Sequence, residues 1–453
     1  MAGSAREAED AKQGSISMQA NSYKFAADPG RVRDLADQIV GKTLSPVALV
    51  QRYLDRITAA DPQVQCWRQL DAERALETAR EREREAAQGS IRGPLHGVPV
   101  AIKDIIDVEG LPTRANSRSR AGAPPASGDA EIVLALKRAG AIILGKVHTT
   151  EFAFFDPSVA RNPHDIRHTP GGSSSGSAAA VAAGMVPIAV GTQTVASVNR
   201  PAAYCGIAAF KPSTRSLSTY GITPLGPSYD TPGFYGWSVA DAIEAFAAIA
   251  PPFLTAPAPL RPAMLTVCIP DDPHISDAIP EMKAALARFA DAFASAGHAV
   301  TRPASPISFE RLCNLQRSTM AYEAGRALRH LLAEPAGSVG AKLTDLIREG
   351  LAIAPGRYLD ERSAIDHMRE TLFAKLTADL FLWPAIPASA PQGLSWTGDP
   401  KYIAPWTALA GPIVSLPAGL AGNGLPIGCI VASRPGSDLA MCAWARQLAE
   451  AVA

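Results

Sequence analysis

Two serines and a lysine are the residues of this chain whose types and surroundings suit covalent chemistry. Ser173 lies in GGSSSGSAAAVAAGMVP (171–187), a glycine–serine turn that opens a small-residue helix. Ser197 lies in the next polar turn, GTQTVASVNRP (191–201), which follows the short apolar strand IAV. Two turns joined by a helix and a strand can meet again in space, and the two serines with them. A serine hydroxyl is a poor nucleophile until a base removes its proton. The base lies upstream, where GVPVAIKDIID (97–107) is an apolar run of strand character leading into Lys103. A lysine at a buried strand end loses hydration, which disfavours the ammonium form and lowers its pKa. The neutral amine is then a general base. The three residues read as a relay in which Lys103 draws a proton through Ser173 while Ser197 attacks a carbonyl. The helix that starts near Ser174 aims its positive end at this turn and favours negative charge developing there.

Blander readings stand beside this one. A serine cluster taken alone is most simply a helix cap, and Lys103 could be a surface residue paired with Asp104. The unbroken apolar run before the lysine argues against that pairing. His164 and His168 stand four apart in NPHDIRH, a metal spacing if the segment were helical. Asn162-Pro163 and Pro170 make it a loop without a matching carboxylate or cysteine pattern, so no metal is expected. GGSSSG has neither the preceding strand nor the acidic ribose reader of a dinucleotide site. No cofactor is expected.

At this point the sequence resembles the amidase signature enzymes. The resemblance rests on GVPVAIKD (97–104), on GGSSSGSAAAVAAGMVP, and on GT-x-T-x-x-S-x-x-x-PAAYCG-x-x-x-FKPS (191–213). AGAIILGKVHTTEFA (139–153), SYDTPG (228–233) and AGPIVSLPAGLAGNGLPIG (410–428) extend it over most of residues 30–450. It implies an α/β fold whose mixed, mostly parallel central sheet is covered by helices on both faces. It also implies a hydrolase acting on linear carboxamides, with Ser197 as nucleophile, Ser173 in a cis peptide and Lys103 as base. The backbone amides of Thr194, Val195, Ala196 and Ser197 match the oxyanion hole. Gly172, Gln193, Asn199, Phe152 and Phe155 fall where the family meets its substrate. Phe154 lies in the same segment, and Trp383, Trp396, Tyr402 and Trp406 are placed to close the pocket from the C-terminal side, with core packing the alternative for these aromatics.

The chain departs from the family where most members read GTDTGGS-I-R. Gln193 replaces an aspartate, Val195 and Ala196 replace two glycines, and Asn199 replaces an arginine. Glycine is favoured where φ is positive or backbone approaches a ligand, and a valine there would be an outlier. Either the loop keeps negative φ or its geometry differs, and the first is favoured. The hole then survives while the acyl site becomes narrower and more apolar. Losing the arginine disfavours substrates with a carboxylate beside the scissile bond, although Arg200 stands next to it. Small apolar or aryl amides, and carbamates of the urethane type, are the expected substrates, with esters also open. The alternatives are a glutaminase or amidotransferase component of a tRNA-dependent complex, and a non-catalytic homologue.

Composition narrows the field further. The 453 residues carry 43 Lys and Arg against 43 Asp and Glu, so no net field draws nucleic acid or an anionic membrane. Six cysteines without CxxC spacing suit reduced, buried thiols. No apolar stretch in the first thirty residues reads as a signal, and the longest small-apolar run holds Gly184 and Pro187 and is too short to span a bilayer. A soluble, cytoplasmic protein is expected, and a homodimer is left open.

The elements that must position the three residues follow from the pattern. Residues 1–30 read as a flexible leader and 31–453 as the catalytic domain. That domain divides into a signature core (about 90–250), a variable helical segment (about 263–380) and a C-terminal return to the core (381–453). Helices are expected near 31–40, from Pro46 onwards with Thr43 and Ser45 as caps, and over 71–88, 131–139, 238–250, 280–296 and 438–453. Strands are expected at 141–144, 264–269, 299–301 and 381–384, with a proline-rich linker at 251–262. Strand–helix–strand order around Lys103 calls for parallel crossovers.

Overall fold

The computed structural model describes residues 24–251 and 264–452. The first 23 positions of the expected leader and nearly all of the expected 251–262 linker lie outside the described residues. Eleven strands form one sheet: β1 (Trp67–Leu70), β2 (Pro99–Lys103), β3 (Ile142–Val147), β4 (Ile188–Gln193), β5 (Ala208–Lys211), β6 (Thr231–Gly236), β7 (Thr266–Cys268), β8 (Ala299–Thr301), β9 (Leu380–Pro384), β10 (Ile413–Leu420) and β11 (Pro426–Ala432). Their order in space is β1-β3-β2-β4-β6-β5-β10-β11-β9-β7-β8.

The sheet is mixed, as expected, but mostly antiparallel rather than mostly parallel. Parallel ladders join β2 to β3 and β4, and β7 to β8 and β9. The other six ladders are antiparallel. The reason is local. Helical crossovers link β2 to β3 and β3 to β4, and such crossovers give parallel neighbours. β10 and β11 are instead joined by a tight turn around Gly424, and β6 enters between β4 and β5 against the direction of both.

Helices cover both faces. One core packs α1 (Val32–Val40), α2 (Pro46–Val64), α3 (Ala72–Ala87) and α5 (Ser175–Ala182) against Ala101, Ile142 and Ala189. The other core takes the alternate strand residues Val100, Ile102, Ile143 and Val190. It packs them with α4 (Glu131–Arg138), α7 (Val239–Ala247), α8 (Pro280–Ser295), α9 (Phe309–Ala327), α10 (Ala341–Ala352) and α11 (Pro355–Lys375). The short helices α6 (Asn199–Cys205) and α12 (Ala404–Ala408) lie by the site, and α13 (Asp438–Ala451) ends the described chain. Ser45 caps α2 by accepting from Val47 and Ala48 N–H groups, with Pro46 in its first turn. Ahead of α1, residues 24–30 are tied down: Phe25 and Ala26 donate to Pro163 O, and Tyr53 Oη donates to Pro29 O.

Helix α5 explains its own composition. All eight of its residues are buried, so only small side chains fit between the sheet and the surrounding helices. A Cβ on Gly176 would collide with His148 N and Cys66 O.

Candidate active site

Parallel pairing brings the carboxyl ends of β2 and β4 to one edge of the sheet. Lys103 ends β2 and Gln193 ends β4, with Ile102 opposite Val190 in register. Open α/β sheets hold their sites at such strand ends. Every residue of β2 is buried, so the Lys103 amine lies inside the protein. Its Nζ donates to Ser173 Oγ at 2.7 Å and to Thr192 Oγ1 at 2.9 Å. Burial pushes the lysine well below its ordinary pKa, and the charge of Asp230 opposes that shift without cancelling it.

The two serine turns are fastened to each other. Ser174 N–H donates to Ser197 O at 3.3 Å, and Ser174 Oγ both accepts from Thr192 N–H and donates to Thr192 O at 3.2 Å. The Gly172–Ser173 peptide is cis. Arg200 reaches across this turn, donating to Gly172 O at 2.6 Å, Gly398 O at 2.5 Å and Thr397 Oγ1 at 3.2 Å. Burial lowers the guanidinium to about 10. Ser197 is 8% exposed, against 2% for Ser173 and 0% for Lys103, so of the three the expected nucleophile is the one turned toward solvent. No hydrogen bond joins the Ser173 and Ser197 hydroxyls in this geometry.

The loop 194–197 is held entirely by its carbonyls and side chains. Thr194 O accepts from Gln316 Nε2 at 3.0 Å, and Thr194 Oγ1 donates to Asp230 Oδ1 at 2.5 Å. Val195 O accepts from Thr407 Oγ1 at 2.6 Å, Ala196 O from Arg200 N–H at 3.0 Å, and Ser197 O from Tyr235 Oη at 3.1 Å. None of the four N–H groups of 194–197 donates to an acceptor among the described residues. Neither Val195 nor Ala196 has positive φ, so the loop accommodates both side chains without left-handed backbone. Four consecutive N–H groups without an internal acceptor are a donor set for a developing oxyanion.

Gln193 and Asn199 meet each other rather than the cavity. Gln193 Oε1 accepts from Val198 and Asn199 N–H groups, and its Nε2 donates to Asn199 Oδ1 at 2.9 Å and Thr407 Oγ1 at 3.0 Å. Asn199 Nδ2 donates to Ser415 Oγ at 2.9 Å. Both side chains are fully buried. The two departures from the family therefore form one uncharged pair that ties loop 194–197 to α6 and α12. Gly172, likewise expected at the substrate, has its carbonyl engaged by Arg200, and a Cβ there would lie 2.9 Å from Thr397 Cγ2.

A cavity of about 510 Å³ opens beside the loop, with Val195, Phe154, Phe155, Met320, Leu346 and Trp396 among its walls. Phe154 and Phe155 stack edge to face at 4.9 Å. Phe152 is placed otherwise: it is buried in the core and does not line this cavity. Trp383, Tyr402 and Trp406 are core residues as well, with Trp383 stacked on Phe309 at 4.5 Å. His164 Nε2 lies 3.0 Å from Cys205 O, and His168 sits 3.5 Å from Asp165. Sequence reasoning missed Asp230, Gln316 and Thr407. Asp230 stood within SYDTPG but without a role, and nothing in the local sequence marks the other two.

A family model, Amidase, matches residues 48–442. A glutamyl-tRNA(Gln) amidotransferase subunit from Chloroflexus aurantiacus is 42% identical over 204 residues, which is 44% of this chain and 42% of that protein. The chain thus matches less than half the length of such curated relatives. Among solved structures, the peptide amidase of Stenotrophomonas maltophilia is 27% identical with a TM-score of 0.77, over 93% of this chain and 96% of that one. A second, 25% identical with a TM-score of 0.84 over 93% and 98%, comes from a vestigial protein complex bearing on the origins of an s-triazine catabolic enzyme. With a matching family model over most of its length and amidases among its structural neighbours, the chain belongs to the amidase signature family of hydrolases.

Proposed function

We propose that this hydrolase cleaves the C–N bond of linear, uncharged carboxamides with apolar or aryl substituents, through an acyl-enzyme on Ser197. Carbamates of the urethane type present the same carbonyl–nitrogen bond and fall within the same class. The observation that carries the reading is the buried Lys103 amine 2.7 Å from Ser173 Oγ, one turn from a loop of four free N–H donors. In the forward step, Ser197 Oγ bonds to the carbonyl carbon while its proton passes through Ser173 to neutral Lys103. The tetrahedral oxyanion rests on the N–H groups of 194–197, a contribution of roughly 3–4 kcal/mol per preorganised donor. Lys103 returns the proton through Ser173 to the leaving nitrogen, the C–N bond breaks, and water then deacylates the ester by the same relay. The serine–serine hydrogen bond closes in the substrate complex, as catalytic contacts commonly do. The scheme calls for neither metal nor organic cofactor.

Uncharged substrates are favoured by what surrounds the loop. Arg200 commits its terminal Nη1 and Nη2 groups to Gly398, Gly172 and Thr397, and the Gln193–Asn199 pair is neutral. Arg317, on the cavity wall, is paired with Glu349 at 2.6 Å. Ser197→Ala and Lys103→Met should each lower amide turnover about a thousandfold or more with the fold retained. The check is steady-state hydrolysis of an anilide, an aryl carbamate, a p-nitrophenyl ester and glutamine. Undiminished amide turnover by Ser197→Ala sinks the mechanism. Turnover of glutamine alone would move the assignment to an amidotransferase component, the role named for the curated relatives.

A further inference from the structure

Gln316 on α9 is buried to 1% exposure yet lines the cavity beside loop 194–197. Its side-chain amide is oriented without ambiguity. A backbone carbonyl only accepts, so the group 3.0 Å from Thr194 O must be Nε2. That leaves Oε1 on the other branch of the amide, and it accepts from no group among the described residues. The walls around it are apolar: Phe154, Phe155, Val195, Met320 and Leu346. Of the four charged wall residues, Arg317 and Glu349 pair with each other, Lys342 Nζ donates to Ser395 O, and Asp345 faces Arg348 at 3.8 Å. A carbonyl acceptor fixed among apolar side chains, and bonded to a residue three positions before the expected nucleophile, is suited to a hydrogen-bond donor, and the donor that an amide or carbamate substrate brings is its N–H.

We propose that Gln316 is a specificity-determining residue whose Oε1 accepts an N–H of the substrate, so that the site prefers N–H-bearing carbonyl compounds over esters and N,N-disubstituted amides. The preferred class is secondary anilides and N-monosubstituted carbamates. The inference rests on the hydrolase reading above. A buried acceptor left unpaired by an analogue lacking the donor is the strong form of discrimination, because the protein cannot re-solvate it in the complex.

The test compares three compounds sharing one acyl group: a secondary anilide, its N-methyl analogue and the p-nitrophenyl ester. The wild-type enzyme should favour the anilide over the N-methyl compound, a readout that needs no variant. Gln316→Met, and Gln316→Asn as a second variant that withdraws the acceptor by one methylene, should lower kcat/KM for the anilide by about tenfold to a hundredfold. All three compounds share whatever is lost from the slackened Thr194, and the anilide should fall further than the ester and the N-methyl amide, so the selectivity ratio collapses. An equal loss on all three compounds would overturn the proposal, since it would mean that Gln316 serves only to hold Thr194. No wild-type preference for the anilide would overturn it as well. Labelling of Ser197 by a fluorophosphonate, read by peptide mass, separates these outcomes from failure of the hydrolase reading, in which the wild type neither labels nor turns over.

Discussion

At Lys103 the decisive quantity is the difference between what burial takes away and what one carboxylate gives back. Burial drives the amine well below 10.5, and Asp230 is the charge that opposes it. Asp230 is itself buried, with Leu225 and Gly226 N–H groups and Thr194 Oγ1 donating to it, and burial raises its own pKa. In the proposed mechanism the base works as the neutral amine, so kcat/KM should rise with pH along a limb set by Lys103 and lying below the ordinary lysine value. A nearby negative charge favours the ammonium form, so Asp230→Asn removes that support and lowers the lysine further. The acid limb should therefore move to lower pH in Asp230→Asn, alongside a loss of maximal rate from the slackened Thr194. A pH–rate profile decides it: an unmoved limb would confine Asp230 to its hydrogen bond with Thr194.

Among the elements, the short helix α12 does the most for its size, since Thr407 joins Val195 O to the Gln193–Asn199 pair. Thr407→Val keeps the shape and deletes both hydrogen bonds. It should lower kcat about tenfold through a looser donor loop, with a smaller change in KM. Steady-state kinetics on one anilide tests this, and an unchanged kcat would show that Gln193 alone suffices. The same helix marks the boundary of what the sequence discloses. Lys103, Ser173 and Ser197 were legible because each sits in a contiguous pattern: an apolar run, a glycine–serine turn, a turn after a strand. Thr407 and Gln316 reach the loop from more than a hundred residues away, and a lone Thr or Gln carries no local sign of that. Sheet direction failed for a related reason. Strand–helix–strand order speaks only for β2 to β4 and for β7 to β8, whereas β5 with β10 and β9 with β11 pair across long separations that periodicity does not report. The aromatics split similarly, since Phe155 and Trp396 reached the cavity while Phe152, Trp383, Tyr402 and Trp406 filled the core.

Across the whole molecule, three lysines among the described residues are fully buried: Lys103, Lys146 and Lys211. Lys146 has Asp104 at 3.0 Å. Lys211 has only Pro212 O for its Nζ, and burial lowers it from 10.5 to about 7 against the pull of Asp438. The sign follows directly. Between about pH 7 and 10.5 this lysine is neutral in the fold and charged in the unfolded chain, so unfolding takes up a proton and stability rises with pH. The slope for one proton is about 1.4 kcal/mol per pH unit. Lys211→Met should raise the unfolding midpoint near pH 7, with the advantage shrinking as pH approaches 10. Urea midpoints across that range provide the check, and parallel pH curves for the two proteins would refute it.

The antiparallel ladder between β5 and β10 has a further consequence, one that concerns synthesis. Lys211 pairs with Ile413 and Ala209 with Ser415, so β5 leaves the ribosome some two hundred residues before its neighbour. At 5–20 residues per second that interval is roughly ten to forty seconds. Through it, the unit built around Lys103 and Ser173 stands with an open strand edge in the middle of what will become the sheet, and such edges template unwanted pairing. The segment that finally covers it also brings Thr407 to the donor loop. The nascent chain thus stays prone to association until its last strands arrive, and it is in that window that a holding chaperone would find its substrate.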